Sequence, residues 1–239
     1  MNPVFKLLIN NSKLRQMIPA GLRKMVRNRI SLVDYDRALS EQWAENAKLE
    51  ASDYGSDYPW TLGIIREYMN YHNFFIQACL DMKVRFKVID IFADDWIKRV
   101  ENSGCDAFLV WPSCSLTIWK DMFDDRLKIM SEDMGKLIYP TYKEIWLYEN
   151  KRRIRDWLMC HDIPHPRSWV FYEKDELLDF LRNCDIPIVY KTATGGSSMG
   201  VKILKDRKQA VKYTLKAFNK GIASFSNPND RQWGSVFLQ

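Results

Sequence analysis

A loop rich in glycine and hydroxyl side chains has the composition of a phosphate-binding loop. It reads TATGGSSMG from Thr192 to Gly200 and lies between two apolar segments. Glycine lets backbone N–H groups approach an anion closely, and serine and threonine add hydroxyl donors. Lys191 is the last residue of the predicted strand before this loop, so its ammonium would lie at the mouth of the loop. The pattern indicates a site for phosphate groups.

Two common phosphate-binding loops do not fit this pattern. No GK[ST] follows the glycines, as a Walker A loop requires. A predicted strand follows the loop, whereas a helix follows the glycine-rich loop of a dinucleotide-binding fold. Taken alone, a hairpin of this composition is as typical of a plain flexible connection as of a phosphate flap. The neighbouring segments therefore decide between the two interpretations.

The first part of the body alternates strands and helices. We predict strands over 61–67, 85–92, 106–112 and 138–140, and helices over 68–82, 93–104 and 116–134. This order predicts a parallel sheet with helices on its faces. Ligands of such sheets bind at the carboxyl ends of the strands, which here are 90–92 and 111–113. Cys114 follows one of these ends, and we interpret it as a core or rim thiol because no histidine is near it in sequence.

The second part mixes helices and strands in a different order. The predicted elements are a helix at 141–161, a strand at 167–172, a helix at 173–184, strands at 185–191 and 201–206, a helix at 207–221, a polar loop at 225–234 and a strand at 235–239. We divide the chain into a basic helical arm and loop (1–60), an α/β domain (61–140) and an α+β domain (141–239). We also expect residues 205–239 to lack sheet partners, which predicts local disorder or an exposed edge strand there.

Five features in order resemble the ATP-grasp superfamily. They are Glu149-Asn150-Lys151 before a helix, the Ile163-Pro164-His165-Pro166 segment, a strand and helix, the strand ending PIVYK at Lys191, and the loop GGSSMGV. The resemblance covers residues 145–239, and residues 61–140 are similar to the domain that precedes them in these enzymes. It implies an α/β protein with a parallel-sheet pre-ATP-grasp domain followed by the first, α+β, subdomain of an ATP-grasp fold. The C-terminal subdomain of that fold would be missing.

The resemblance also implies roles for individual residues. Lys151 and Lys191 would contact the phosphates of ATP. The phosphate flap would consist of Gly195, Gly196, Ser197, Ser198 and Gly200. The Mg²⁺ ligands and the catalytic arginine of the family have no match in this sequence, and we expect them beyond Gln239.

The implied activity is that of a ligase. Such an enzyme activates a carboxylate as an acyl phosphate and joins it to an amine, while the closed loop excludes water. We expect this chain to be a fragment that binds nucleotide weakly and turns over nothing alone. The alternative is a non-catalytic module that keeps the nucleotide fold as a scaffold for a partner.

The charge of the protein is concentrated at one end. The net charge is +6, but the first 30 residues contain seven basic and no acidic residues, which leaves 29 basic and 30 acidic residues elsewhere. This distribution argues against specific nucleic-acid binding, although the arm alone could contact duplex DNA. The arm fits either a helix packed on the body or a peripheral contact with an anionic membrane, as in surface glycan assembly. The substrates would then be small-molecule or glycan-linked carboxylates and amines.

The cysteines and the hydropathy indicate a cytoplasmic protein. The five cysteines are irregularly spaced without a CxxC pair, which is typical of reduced thiols and does not match a zinc site. No run of about 18 apolar residues is present, so the sequence predicts no transmembrane segment.

Overall fold

The computed structural model describes residues 49–114, 116–195, 200–223 and 230–239, so the basic arm at 1–30 lies outside the described residues. The chain divides into two compact units, which are described here one at a time. The first contains the chain up to Ser113 together with Met122–Tyr142, and the second contains Cys114–Asp121 and Lys143–Gln239. Among the described residues we find no helix with the length and apolar character needed to span a bilayer.

The first half of the described chain forms the predicted parallel sheet. Its elements are β1 (Thr61–Ile65), α1 (His72–Met82), β2 (Arg85–Ile89), α2 (Trp96–Glu101), β3 (Ala107–Leu109), α3 (Thr117–Lys128), a π-helical turn (Ile129–Asp133) and β4 (Ile138–Tyr139). The strand order is β2-β1-β3-β4, and each neighbouring pair is parallel. The prediction of a parallel sheet is therefore confirmed.

Strand β1 lies at the centre of this sheet because its residues are small or apolar. Ile64 is fully buried and packs with Ile76 and Cys79 of α1 and with Phe86 of β2. Gly63, which precedes Ile64 in β1, lies against the ring of Phe108 from β3. A Cβ atom added at Gly63 would be 2.4 Å from Phe108 Cδ1. The glycine thus allows a close contact between neighbouring strands.

We predict that Gly63→Ala destabilises the first unit. The added methyl group must displace the Phe108 ring from a packed core, which should lower the free energy of unfolding by about 1–3 kcal/mol. Urea denaturation followed by circular dichroism measures this change. Gly55→Ala is the control, because a Cβ at Gly55 meets no atom within 4 Å. Equal unfolding midpoints for the two variants would contradict the prediction.

The second half of the described chain forms a mixed α and β unit. Its elements are α4 (Tyr142–Leu147), α5 (Lys151–Cys160), β5 (Trp169–Phe171), α6 (Lys174–Asn183), β6 (Ile188–Lys191), β7 (Val201–Leu204), α7 (Arg207–Asn219), β8 (Ile222–Ala223), β9 (Arg231–Gln232) and β10 (Val236–Leu238). The main sheet is antiparallel, in the order β5-β10-β6-β7, and β8 pairs with β9 in a small second sheet. Helices α6 and α7 contribute buried residues to the core of the main sheet, including Leu177 and Ala210.

The expectation that the end of the chain lacks sheet partners is wrong for β10. Strand β10 lies inside the sheet, between β5 and β6, and Val236 and Leu238 are fully buried. All three residues of β10 are apolar, so the strand is suited to a position that is covered on both faces. The edges of this sheet are instead β5 and β7.

Two predicted elements differ from the structure. The helix predicted over 141–161 is two helices, because Glu149 adopts a left-handed conformation (φ 53°) and Asn150 is extended. The side chain of Asn150 accepts a hydrogen bond from the backbone N–H of Arg153 at 3.3 Å and so caps the start of α5. The polar loop predicted over 225–234 contains strand β9, which pairs with β8.

Candidate functional site

Backbone hydrogen bonds join the start of α5 to the first residues of the glycine-rich loop. The N–H of Lys151 donates to the carbonyl of Ala193 at 2.8 Å, and the N–H of Gly195 donates to the carbonyl of Glu149 at 3.3 Å. Asn150 and Thr194 form an antiparallel bridge between these two bonds. Two segments that are about 40 residues apart in sequence are therefore held side by side.

The two lysines predicted to bind phosphate lie at this junction. Lys191 is the last residue of β6, as predicted, and its ammonium donates to Oε1 of Gln239. Lys151 is the first residue of α5, and its ammonium donates to the carbonyl of Gly195 in the loop. Both cations thus lie where the strand ends and the glycine-rich loop begins.

The electrostatic environment links these two cations. Partial burial lowers the pKa of Lys151, while the nearby carboxylate of Glu149 opposes this shift and the ammonium of Lys191 adds to it. A position at which burial and a neighbouring ammonium disfavour the charge of Lys151 is one at which an anion is stabilised. A bound polyanion such as a phosphate chain would relieve this repulsion and favour the protonated form of Lys151.

The loop itself is closed at its base by a hydrogen bond across β6 and β7. The N–H of Thr192 donates to the carbonyl of Gly200 at 3.0 Å, directly after the last strand pair, Lys191 with Val201. Gly200 has a φ of 89°, and a Cβ there would lie 2.2 Å from Oγ1 of Thr192. Of the predicted flap residues, Gly195 and Gly200 lie in this base, whereas Gly196, Ser197 and Ser198 lie outside the described residues.

We predict that Gly200→Ala distorts the base of the loop. The positive φ costs an alanine about 1–2 kcal/mol, and the contact with Thr192 adds about 1–3 kcal/mol. Thermal or urea unfolding should show the combined loss. Gly234→Ala is a matched control, since Gly234 also has a positive φ (70°) but a Cβ added there would meet no atom within 4 Å. A loss in Gly200→Ala no larger than in the control would refute the close contact.

Sequence reasoning missed residues that contact the loop. The side chain of Gln232 accepts from the N–H of Thr194 at 3.2 Å and donates to its carbonyl at 2.9 Å. Gln232 lies inside a segment predicted to be a polar loop, and no local pattern distinguishes it there. In the sequence motif Glu149 is only a neighbour of the lysine. In the structure its left-handed backbone precedes the helix that begins at Lys151, and its carboxylate opposes the lowering of the pKa of Lys151 by burial.

Cys114 belongs to the second unit and lies near this charged group. Burial raises the pKa of its thiol to about 11, with a further contribution from the carboxylate of Glu149. At neutral pH such a cysteine is a protonated thiol and a poor nucleophile. The geometry is consistent with the rim thiol that we expected from the sequence.

The described residues contain no group of three or more His, Cys, Asp or Glu side chains that could hold a metal ion. The side chains that converge at the base of the loop include two ammonium groups, which suit phosphate oxygens and do not suit a metal. The residues present therefore fit a nucleotide phosphate chain.

Comparisons with known proteins find similarity at the level of structure. No protein-family model and no curated protein sequence matches the chain. Solved structures that match include the biotin carboxylase domain of the 2-oxoglutarate carboxylase from Hydrogenobacter thermophilus, with a TM-score of 0.53 and 13% identity, covering 75% of this chain and 44% of that chain. The N5-carboxyaminoimidazole synthetase from Staphylococcus aureus matches with a TM-score of 0.51 and 14% identity, covering 76% of this chain and 47% of that chain. The N5-carboxyaminoimidazole ribonucleotide synthetase from Thermotoga maritima matches with a TM-score of 0.50 and 19% identity, covering 75% and 45%.

All three of these proteins are ATP-grasp proteins. The described part of the chain has part of the ATP-grasp fold. The fold predicted from the lysine motif and the glycine-rich loop is thus confirmed. The H. thermophilus structure is a complex with MgADP, ADP and bicarbonate, and the S. aureus structure is a complex with ADP. The chain spans 44–47% of the length of these ATP-grasp proteins.

Proposed function

We propose that the second unit is the ATP-binding part of an ATP-grasp ligase. The observation that carries this proposal is the convergence of Lys151 and Lys191 at the base of the glycine-rich loop. Two ammonium groups at the base of a glycine-rich loop form an arrangement that binds a polyphosphate. The ATP-grasp fold and the ADP-containing structures that share it support the choice of ATP.

Each side chain would have a distinct task in this site. Lys191 would neutralise phosphate charge from the end of β6, and Lys151 would do so from the start of α5. The loop residues Gly195, Gly196, Ser197, Ser198 and Gly200 would cover the phosphates, and the hydrogen bond from Thr192 to Gly200 holds the base of the loop. Closure of the loop would exclude water from the reacting group.

When bound, ATP with Mg²⁺ would supply the phosphoryl group that activates a carboxylate for attack by an amine. The described residues of this chain would bind and orient the phosphates, and we assign no metal ligand to them. The carboxylate and amine would be small molecules or groups on a glycan. This part of the proposal extends the ATP-binding role and depends on it.

We predict that Lys191→Ala weakens ATP–Mg²⁺ binding by about tenfold or more, which corresponds to about 1.4 kcal/mol. Lys151→Ala should have an effect in the same direction, because both ammonium groups face the same anion. Isothermal titration calorimetry with the chain measures both. Since burial lowers the pKa of Lys151, affinity should also fall as the pH rises through that lowered pKa, and this dependence should be absent in Lys151→Ala.

The matched control for these variants is Lys174→Ala, which removes an exposed ammonium at the start of α6. It should leave binding unchanged. Equal affinity in the parent, in Lys191→Ala and in Lys151→Ala would refute the phosphate site. Equal losses of ATP affinity in Lys191→Ala, Lys151→Ala and the Lys174→Ala control would show only a general effect of charge.

We further propose that the ligase works in the cytoplasm at the membrane surface, where surface glycans are assembled. The seven basic residues in the first 30 support this setting through their attraction to anionic lipid. Sedimentation with vesicles should therefore recover more protein with anionic than with neutral lipid, and added salt should reduce the difference. Equal recovery with both lipids would remove the membrane from the proposal.

A further inference from the structure

Helix α5 lines a cavity in the same unit, and Asn150, which pairs with Thr194, is among its lining residues. Its volume is about 400 Å³, and neither Lys151 nor Lys191 lines it. This volume lies within the range of cavities that hold small organic ligands. The cavity is therefore large enough for a ligand with one ring.

The walls of this cavity are aromatic and cationic. Trp146, Trp157 and Tyr172 contribute rings, and Arg152 and Arg153 contribute guanidinium groups. The guanidinium carbon of Arg153 lies 4.8 Å from the centre of the Trp146 ring, and that of Arg152 lies 5.8 Å from the centre of the Tyr172 ring. Stacking on a ring orients a guanidinium, and Arg153 also donates from Nη1 to the carbonyl of Trp146 at 3.0 Å.

Among the residues that the structure describes, Arg152 has a hydroxyl partner and no acidic partner. Its Nη1 donates to Oγ of Ser235 at 2.9 Å, and no carboxylate of the described residues pairs with it. Asp156 is the one acidic side chain among the described residues that line the cavity, and it forms its ion pair with Arg155 at 2.6 Å. A guanidinium that is half-buried without a counter-charge favours an anionic ligand.

A second polar group in the cavity wall also lacks a partner. The indole Nε1 of Trp157 is buried, and no acceptor among the described residues bonds to it. An indole N–H can only donate a hydrogen bond, so its partner must be an oxygen or another acceptor. A ligand in the cavity cannot contact this buried atom, so its acceptor oxygens would interact with Arg152.

We propose that this cavity binds a small planar organic anion, with its ring between the aromatic walls and its carboxylate or phosphate oxygens on Arg152. Carboxylate and phosphate ligands of this kind have the same chemistry, which is a flat ring that carries an oxyanion. The site is separate from the nucleotide site and does not rest on the proposed ligase function. It shares helix α5 with the phosphate-binding Lys151.

The test uses benzoate and phenyl phosphate as probes, with neutral benzyl alcohol as the uncharged comparison. Titration calorimetry or ligand-observed NMR on the whole chain should detect binding of at least one anion at about 1 mM or below, and weaker binding of benzyl alcohol. The stronger of the two anions identifies the oxyanion as carboxylate or phosphate. Arg152→Gln should weaken binding of that anion roughly tenfold, because it loses a charge-assisted hydrogen bond.

Two further variants distinguish this site from the nucleotide site and from a general effect of charge. Arg182→Gln is the matched control, since Arg182 carries the same group on the exposed surface of α6 and should bind the probe as the parent does. Lys191→Ala, which removes a lysine of the nucleotide site, should also bind the probe normally. If Lys191→Ala no longer bound the probe while Arg152→Gln still bound it, the anion would lie at the glycine-rich loop and the proposal would be overturned.

The unmodified chain provides a measurement that does not depend on a variant. The free thiol of Cys160 is exposed and lines the cavity, whereas Cys184 lines a different one. The bound anion should slow alkylation of Cys160 several-fold and leave Cys184 unchanged, as mass spectrometry of the labelled peptides would show. Absence of binding by both anions, equal binding of benzyl alcohol, or unprotected Cys160 at saturating probe would overturn the proposal.

Discussion

The backbone pairing between residues 149–151 and 193–195 is the constraint on which the candidate site depends. A hydrogen bond of 2.8 Å from the Lys151 N–H to the Ala193 carbonyl fixes the first turn of α5 against the stem of the loop. Because backbone groups make this contact, it holds Lys151 in place whatever its side chain binds. Gln232 closes the other side of the stem through two hydrogen bonds to Thr194. The positions of both ammonium groups follow from this frame.

Helix α5 distributes its cations around its axis, and this separates two possible ligands. Successive residues of a helix point about 100° apart, so Lys151 faces the loop while Arg152 and Arg153 line the other cavity. The repulsion that these like charges would have on one face is thereby reduced. The capping bond from Arg153 to Asn150 keeps the first turn regular, so that the directions of these side chains are well defined.

Local patterns in the sequence predicted most elements of the fold correctly. The β-branched and apolar residues of β1 and β2, and the position of Lys191 at a strand end, could be found because they depend on neighbours in the chain. The break at Glu149 was missed, although Asn150 is a strong helix N-cap, because the apolar spacing continues across it. Strand β9 was missed because its two residues are polar and gain their conformation from pairing with β8. The partners of the site, such as Gln232, depend on contacts between distant segments, which no local pattern contains.

The central place of β10 in its sheet has a consequence for the order in which this unit forms. Residues 236–238 separate β5 from β6, so the strand at Trp169–Phe171 has no neighbour in the sheet until a segment about 65 residues later is in place. During synthesis β5 must therefore remain unpaired until β10 is available, whereas β6 and β7 can pair with each other directly. Closing the long loop between β5 and β10 costs conformational entropy before their contacts form, and this slows folding. The main sheet of this unit is thus expected to be completed late, when β10 joins β5 to the pair of β6 and β7.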